Sequence, residues 1–364
     1  MMIPIPKITL LCPSYNHGKY IGSLIQSILN QSEQRFELLV IDDCSTDDNL
    51  SEILKFSDPR IRLIQHTFNQ GISAGINQGI REARADIIAL LASDDLARFD
   101  YLEKVLAAFE EHPEISAVYV ALQHIDQEGD LLSQVTHLPV DFSRLEILKR
   151  SFFGENQLPS PGMVVRKQAG RLAEIPVGSI QYSDWIFHNK LLFNHEVYLL
   201  NEPLIFYRVT SGSVSSRSAG VVAREKLETS LLMDYFLEIG DVSTLQLIFG
   251  ADLHAFGKPS PEMIPYFLSR MALNSPIWEK RNWGYLTLAR FISEPNIQEM
   301  LHTNYGFDYK TFMALTPIPD CISGTEITSN KQLRLMKKKF LRLTRVLVAL
   351  VLFLLITVLL LYFS

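Results

Sequence analysis

Short apolar runs alternate with amphipathic stretches over the first third of the chain. Residues 8–12 are mostly apolar and stop at Pro13, the pattern of a buried strand. Residues 19–30 then place Tyr20, Ile21, Leu24, Ile25, Ile28 and Leu29 on one helical face. The alternation continues with strands predicted over 37–41, 61–65, 87–91 and 117–120. Between them, helices are predicted over 47–56, 71–85 (with glycines at 71, 75 and 79) and 101–111. Strands and helices alternating at this spacing predict an α/β domain with a mostly parallel sheet flanked by helices. Ligands bind such sheets at the carboxyl ends of the strands. Three predicted strands end in polar loops: Pro13-Ser14-Tyr15-Asn16, Asp42-Asp43 and Ser93-Asp94-Asp95. Neither a Gly-x-Gly-x-x-Gly turn nor a P-loop is present, which weighs against dinucleotide binding and P-loop hydrolysis.

From residue 219 to about 316 the periodicity turns helical and β-branched runs become scarce. The expected organisation is a first domain over 1–217 and a helical region with linker over 218–330. A basic segment follows over 331–345, and an apolar one over 346–363. Lys331, Arg334, Lys337, Lys338, Lys339, Arg342 and Arg345 are all cationic, with no acid among them. Eighteen helical residues after them would reach about 27 Å, close to the thickness of a bilayer core. These features predict a single-pass C-terminal membrane anchor, with the large domain on the cytoplasmic side. Residues 1–7 carry two prolines and no long apolar run, so no signal peptide is expected.

Composition narrows the classes. Apolar residues make up 47% and charged residues 20% of 364, which is globular rather than disordered. A net charge of −6 excludes a general nucleic-acid binder. Cys12, Cys44 and Cys321 are too few and too far apart for a disulfide framework or a zinc site.

Adjacent carboxylates at the end of a buried strand suit a hard divalent cation that in turn binds a diphosphate. Asp94-Asp95 fits that use, and equally the cap of the next helix. Asp43 has the same two readings, cap or hydrogen-bond acceptor. Two acid pairs ending neighbouring strands would repel one another unless a cation or ligand donors gathered between them.

In this order and spacing the motifs resemble the family 2 glycosyltransferases of GT-A (Rossmann-like) fold, over about residues 8–215. Cys12-Pro13-Ser14-Tyr15-Asn16 looks like the family's nucleotide-binding loop. Asp42-Asp43-Cys44-Ser45-Thr46-Asp47 is similar to its Asp-Asp-x-Ser-x-Asp stretch. Asn69-Gln70-Gly71-Ile72-Ser73-Ala74 resembles its middle motif, and Ser93-Asp94-Asp95 stands where the metal-binding Asp-x-Asp signature does. The resemblance implies that Pro13, Ser14 and Tyr15 line the nucleotide pocket and that Asp43 bonds the base edge. Asp94 would sit near the ribose or diphosphate, and Asp95 would ligate Mn²⁺ or Mg²⁺. Gln181-Tyr182-Ser183-Asp184-Trp185 falls where the family carries its catalytic base, which implies that role for Asp184; its residue type alone suits a helix cap as well.

The chain departs from the pattern at three places. Ile76 stands where an Arg often precedes Asn77, Ser183 replaces the acid before the base, and Thr210 replaces the His of Tyr-Arg-x-His. Arg208 has two readings, phosphate contact or brace. The Gln-x-x-Arg-Trp motif of processive synthases is absent, so transfer of one sugar is expected. The implied activity is inverting transfer from a nucleotide sugar, most often UDP-linked in this family, to a hydroxyl of a glycan or lipid-linked acceptor at the membrane. The alternative is a degenerate relative that only binds or scaffolds.

Overall fold

A computed structural model describes residues 5–210 and 218–315. The strands, in chain order, are β1 (Ile8–Ser14), β2 (Phe36–Asp42), β3 (Ile61–Gln65), β4 (Ile87–Leu90), β5 (Leu96–Ala97), β6 (Ala117–Ile125), β7 (Leu131–Thr136), β8 (Val164–Arg166) and β9 (Val197–Arg208). The helices that flank or follow them in the sheet region are α1 (Gly18–Leu29), α2 (Asn49–Leu54), α3 (Ile72–Glu82), α4 (Tyr101–Glu111), α5 (Arg144–Phe153), α6 (Lys167–Leu172) and α7 (Ser183–Asn194). Beyond β9 the chain is helical, with α8 (Ala219–Asp234), α9 (Val242–Phe249), α10 (Ile264–Ala272), α11 (Trp278–Phe291), α12 (Ile297–Tyr305) and α13 (Tyr309–Ala314).

One sheet carries the order β3-β2-β1-β4-β8-β6-β9-β5, with β7 paired to β6. The first four neighbours are parallel, as the alternation of apolar runs predicts. Beyond β4 the sheet is mixed, a correction to the mostly parallel expectation. β8 lies antiparallel between β4 and β6, β6 and β9 are parallel, and β5 runs antiparallel to β9. β5 and β8 have two and three residues. Runs that short carry no readable period, and only their neighbours make them strands.

The sheet buries both faces. Leu10, Cys12, Leu38 and Val40 pack with Ile21, Leu24, Ile25 and Ile28 of α1. Leu11 points to the other face, where α3 crosses so closely that a Cβ on Gly79 would lie 2.0 Å from Leu11 Cδ1. One turn earlier, a Cβ on Gly75 would meet Pro13 at 3.4 Å. The glycine spacing of α3 is therefore a contact surface for β1.

Residues Met1–Gly306 form one compact unit, so α8–α12 belong with the sheet. Phe152, at the end of α5, packs edge-on against Phe236, Phe249 and Trp283. Buried Lys280 of α11 donates to Ser151 O and Gly154 O, both at 2.6 Å, filling the carbonyl end of α5. A second unit begins at Phe307, and its described part holds α13.

The expected membrane anchor needs correction. Among the described residues no helix is long and apolar enough to cross a membrane. Even α8, with 16 residues, carries Arg224, Glu225, Lys226 and Glu228. The basic segment 331–345 and the apolar segment 346–363 lie outside the described residues. The membrane and cytoplasmic placement derived from them is accordingly withdrawn.

Candidate active site

The carboxyl ends of β1 and β2 are joined by side chains that bridge their loops. Ser14 Oγ donates to Asn49 Oδ1 at 2.8 Å, and Asn49 Nδ2 donates to Asp42 Oδ1 at 2.7 Å. Thr46 N donates to Asn16 Oδ1 at 2.8 Å, and Gly18 N to Asp47 Oδ2 at 2.8 Å. Asn16 and Cys44 hold φ of 53° and 63°, left-handed values that these crossed bonds sustain. Ser14 is thus engaged in bracing the loops, Pro13 is half-buried beneath α3, and Tyr15 projects with 45% of its surface exposed.

Asp43 follows directly and is buried. Its Oδ1 accepts from Gln70 N and its Oδ2 from Gly71 N, each at 2.8 Å, so it holds the chain entering α3. The cap of α2 is Asp48 instead. His66 Nδ1 lies 2.6 Å from Asp43 Oδ1, and His66 Nε2 lies 2.7 Å from Gln78 Oε1. Two acceptors on one ring favour the doubly protonated form. Burial alone would depress the His66 pKa, but the bonds to Asp43 and Gln78 carry it above the ordinary value. Sequence reasoning missed His66; its position one residue past the β3 run was the available signal.

After β4, Asp94 is half-buried and Asp95 fully buried. Neither caps the next helix, whose N-cap is Asp100. Asp95 Oδ1 accepts from Arg208 N at 2.8 Å, whereas Asp95 Oδ2 is buried without a hydrogen-bond partner. Burial, then the charge of Asp94, pushes the Asp95 carboxyl well above the usual carboxylate range. Burial and the same two carboxylates raise the Cys12 thiol. Arg208 proves to be a brace: its guanidinium donates to Asp94 O (2.7 Å), Asp126 O (3.0 Å) and Gln127 O (3.0 Å) and lies over the Tyr20 ring.

This donor set fits a hard cation. An unpartnered buried carboxylate oxygen and an adjoining acid offer an oxygen seat. Among the described residues no three His, Cys, Asp or Glu form a closed metal cage. A seat with one or two protein oxygens, completed by phosphate and water, is typical of Mg²⁺-type binding.

Asp184 sits in the first turn of α7, two residues after the N-cap Tyr182, so it is not the cap. Its Oδ1 accepts from Trp185 N at 2.7 Å, and burial raises its pKa to about 6. Its charge also bears on Tyr119 of β6, whose phenol is raised by burial first and by Asp184 second. One turn along α7, His188 meets the Tyr119 ring edge-on at 5.2 Å and is driven to about 3 by burial, hence neutral. Tyr119 Oη and His188 Nε2 are both buried without partners.

Two of the three acids, Asp43 and Asp184, are connected through α3. Asp43 holds its entry; further along, Ser73 Oγ donates to Ser179 O at 3.0 Å, and Asn77 exchanges two bonds with Ile175, at 2.7 and 3.0 Å. That loop leads into α7 and Asp184. A cavity of about 340 Å³ opens beside the far half of α3, lined by Asn77, Ile80, Arg81, Gly170, Arg171 and Glu174; it contains none of the expected site residues.

Comparison with known proteins identifies the family. The family model "Glycosyl transferase family 2" matches residues 9–170. An uncharacterized glycosyltransferase of Haemophilus influenzae is 31% identical over 217 residues, covering 58% of this chain and 83% of that one. The putative teichuronic acid biosynthesis glycosyltransferase TuaG of Bacillus subtilis is 28% identical over 214 residues, 58% of this chain and 82% of that one. Chondroitin synthase of Escherichia coli is 34% identical over 138 residues, 37% of this chain and only 20% of that protein. Among solved structures, S. aureus TarS 1-349 in complex with UDP-GlcNAc aligns with a TM-score of 0.53 at 19% identity, over 79% of this chain and 80% of that one; it shares the fold. By family match, relatives and architecture together, this chain belongs to the family 2 glycosyltransferases.

Proposed function

We propose that this glycosyltransferase moves a single sugar from a nucleotide-sugar donor, of the UDP class, to a hydroxyl of a glycan or lipid-linked acceptor with inversion. The observation that carries the reading is Asp184: a carboxylate in the first turn of α7, off the cap position, with a pKa raised to about 6 by burial. A sugar hydroxyl is a weak nucleophile near neutral pH. A carboxylate that is ionised yet only modestly acidic is suited to take its proton.

In this reading the acceptor oxygen bonds to the anomeric carbon as the bond from that carbon to the diphosphate oxygen breaks. Asp184 takes the hydroxyl proton, and the nucleoside diphosphate leaves with the electron pair. A single base acting opposite the leaving group gives inversion, through an oxocarbenium-like transition state. Pro13 and Tyr15 would line the nucleotide pocket. Asp43 would shape its floor through the start of α3, keeping part of its second oxygen for the base edge. Asp95, with Asp94 beside it, would hold Mn²⁺ or Mg²⁺. When bound, that cation would stabilise charge on the departing diphosphate. The TarS neighbour that shares this fold was solved in complex with UDP-GlcNAc, the donor class taken here.

The test is release of nucleoside diphosphate from a panel of UDP-, GDP- and dTDP-sugars, with and without Mn²⁺. Mn²⁺-dependent release of UDP supports the reading. Release of GDP or dTDP alone would overturn the UDP assignment, and no release from any donor would overturn the transfer reading.

A further inference from the structure

Glu228 lies on α8, in the helical region after β9, and only 6% of its surface is exposed. Its carboxylate is directed at the loop that opens α7. Oε2 accepts from Gln181 N at 2.8 Å, Tyr182 N at 2.9 Å, Ile180 N at 3.1 Å and Ser179 Oγ at 3.2 Å. Ile180 N also reaches Oε1 at 3.1 Å. Three successive backbone N–H groups thus converge on one carboxylate, the geometry of an anion nest. The surrounding face of α8 adds to the grip: Arg224 Nε donates to Gln181 Oε1 at 3.2 Å, and Tyr182 bonds to Thr229.

A buried charge persists where its oxygens are fully hydrogen-bonded. Nothing in packing alone calls for a carboxylate here, because a neutral side chain would cover the same surface. What the carboxylate does is freeze three peptide groups at once. The last of them belongs to Tyr182, the N-cap of α7, and Asp184 is two residues on. The other side of the same loop is held by Ser73, whose helix Asp43 anchors. We infer that Glu228 is a positioning residue for sugar transfer: it sets the first turn of α7 and so the reach of Asp184, making α8 part of the catalytic unit. This rests on the reading of Asp184 as the base.

The experiment uses the full chain and three variants, Glu228→Ala, Glu228→Gln and Asp184→Asn. The readouts are nucleotide release from the fastest nucleotide sugar of a UDP-, GDP- and dTDP-sugar panel, and titration of functional sites with the matching nucleoside diphosphate in Mn²⁺. Glu228→Ala is expected to lower kcat by about 10²-fold, the scale of a misplaced reacting group, with donor KM and site count unchanged. Glu228→Gln keeps one good acceptor oxygen and should fall by only about 3- to 10-fold, a partial rescue. A purely structural role would lower the site count while the remaining sites kept their kcat; that result overturns the inference. Should Glu228→Ala not fold, an unchanged kcat in Glu228→Gln overturns it equally. If Asp184→Asn retains the rate, the base reading itself fails. If Asp184→Asn is inactive and Glu228→Ala is not impaired, only the positioning role fails.

Discussion

The backbone N–H of Arg208 donates to Asp95 Oδ1 at 2.8 Å, while the other oxygen of that carboxylate is buried with no partner. The end of β9 therefore fixes the orientation of an acid that follows β4, more than a hundred residues earlier in the chain. One oxygen is consumed by structure and the other has no protein partner. Asp95→Ala is expected to remove the Mn²⁺ dependence of nucleoside diphosphate binding. Titration calorimetry with and without Mn²⁺ checks this; an unchanged metal-dependent affinity would refute the assignment.

Arg208 itself is predicted to be structural. Its guanidinium satisfies three main-chain carbonyls from two loops. Arg208→Met should cost about 1–3 kcal/mol of stability, read by urea unfolding, because those part-buried acceptors lose their donors together. A loss under about 0.5 kcal/mol would show that water replaces the guanidinium without penalty.

Asp184→Asn should abolish transfer, leave nucleotide affinity unchanged and stabilise the fold. The sign follows from the raised pKa. The native carboxyl titrates near 6 and the unfolded one near 3.8, so the native state holds its proton longer. Stability therefore falls as pH rises from about 4 to 6 and stays lower above that, by about 1–3 kcal/mol. The asparagine should remove that slope, giving a higher melting temperature at pH 8. In the wild type, kcat should decline below about pH 6 as the base protonates. A pH-independent rate between 5 and 8 would count against the base role.

His66 titrates with the same sign, in a higher pH window. Its pKa is raised in the native state, so the contribution of the Asp43 contact is complete below the unfolded value of 6.5. It fades as pH rises through the native value. His66→Gln should flatten the stability profile on that alkaline side. A profile superimposable on that of the wild type would mean that the ring is neutral throughout.

Gly79→Ala tests the seating of α3. The new methyl would fall 2.0 Å from Leu11 Cδ1, a contact that must be relieved by moving the leucine or lifting the helix. The expected loss is about 1–3 kcal/mol, with weakened nucleotide binding if the helix lifts, since α3 begins on Asp43. A neutral substitution would show that Leu11 changes rotamer freely.

Local periodicity was enough to find β1–β4, α1–α4 and the polar strand ends, because each of those segments buries a continuous run or one helical face on a shared core. The motif order also singled out Asp43, Asp95 and Asp184 as candidates. It could not decide among cap, brace and ligand for any of them, since a carboxylate's role depends on which donors reach it. Asp43 proved to be held by main-chain N–H groups from beyond β3, Asp95 by one from β9, and the loop before Asp184 by Glu228 on α8. β5 and β8 were illegible for the same reason, being strands only through their neighbours. The sequence by itself determined the alternating α/β ground plan and the acids that edge it, through short-range burial patterns. Tertiary structure alone decided which carboxylate oxygens are spent and which stay free, because hydrogen bonds between distant segments exist only once the sheet and the helices behind it have closed.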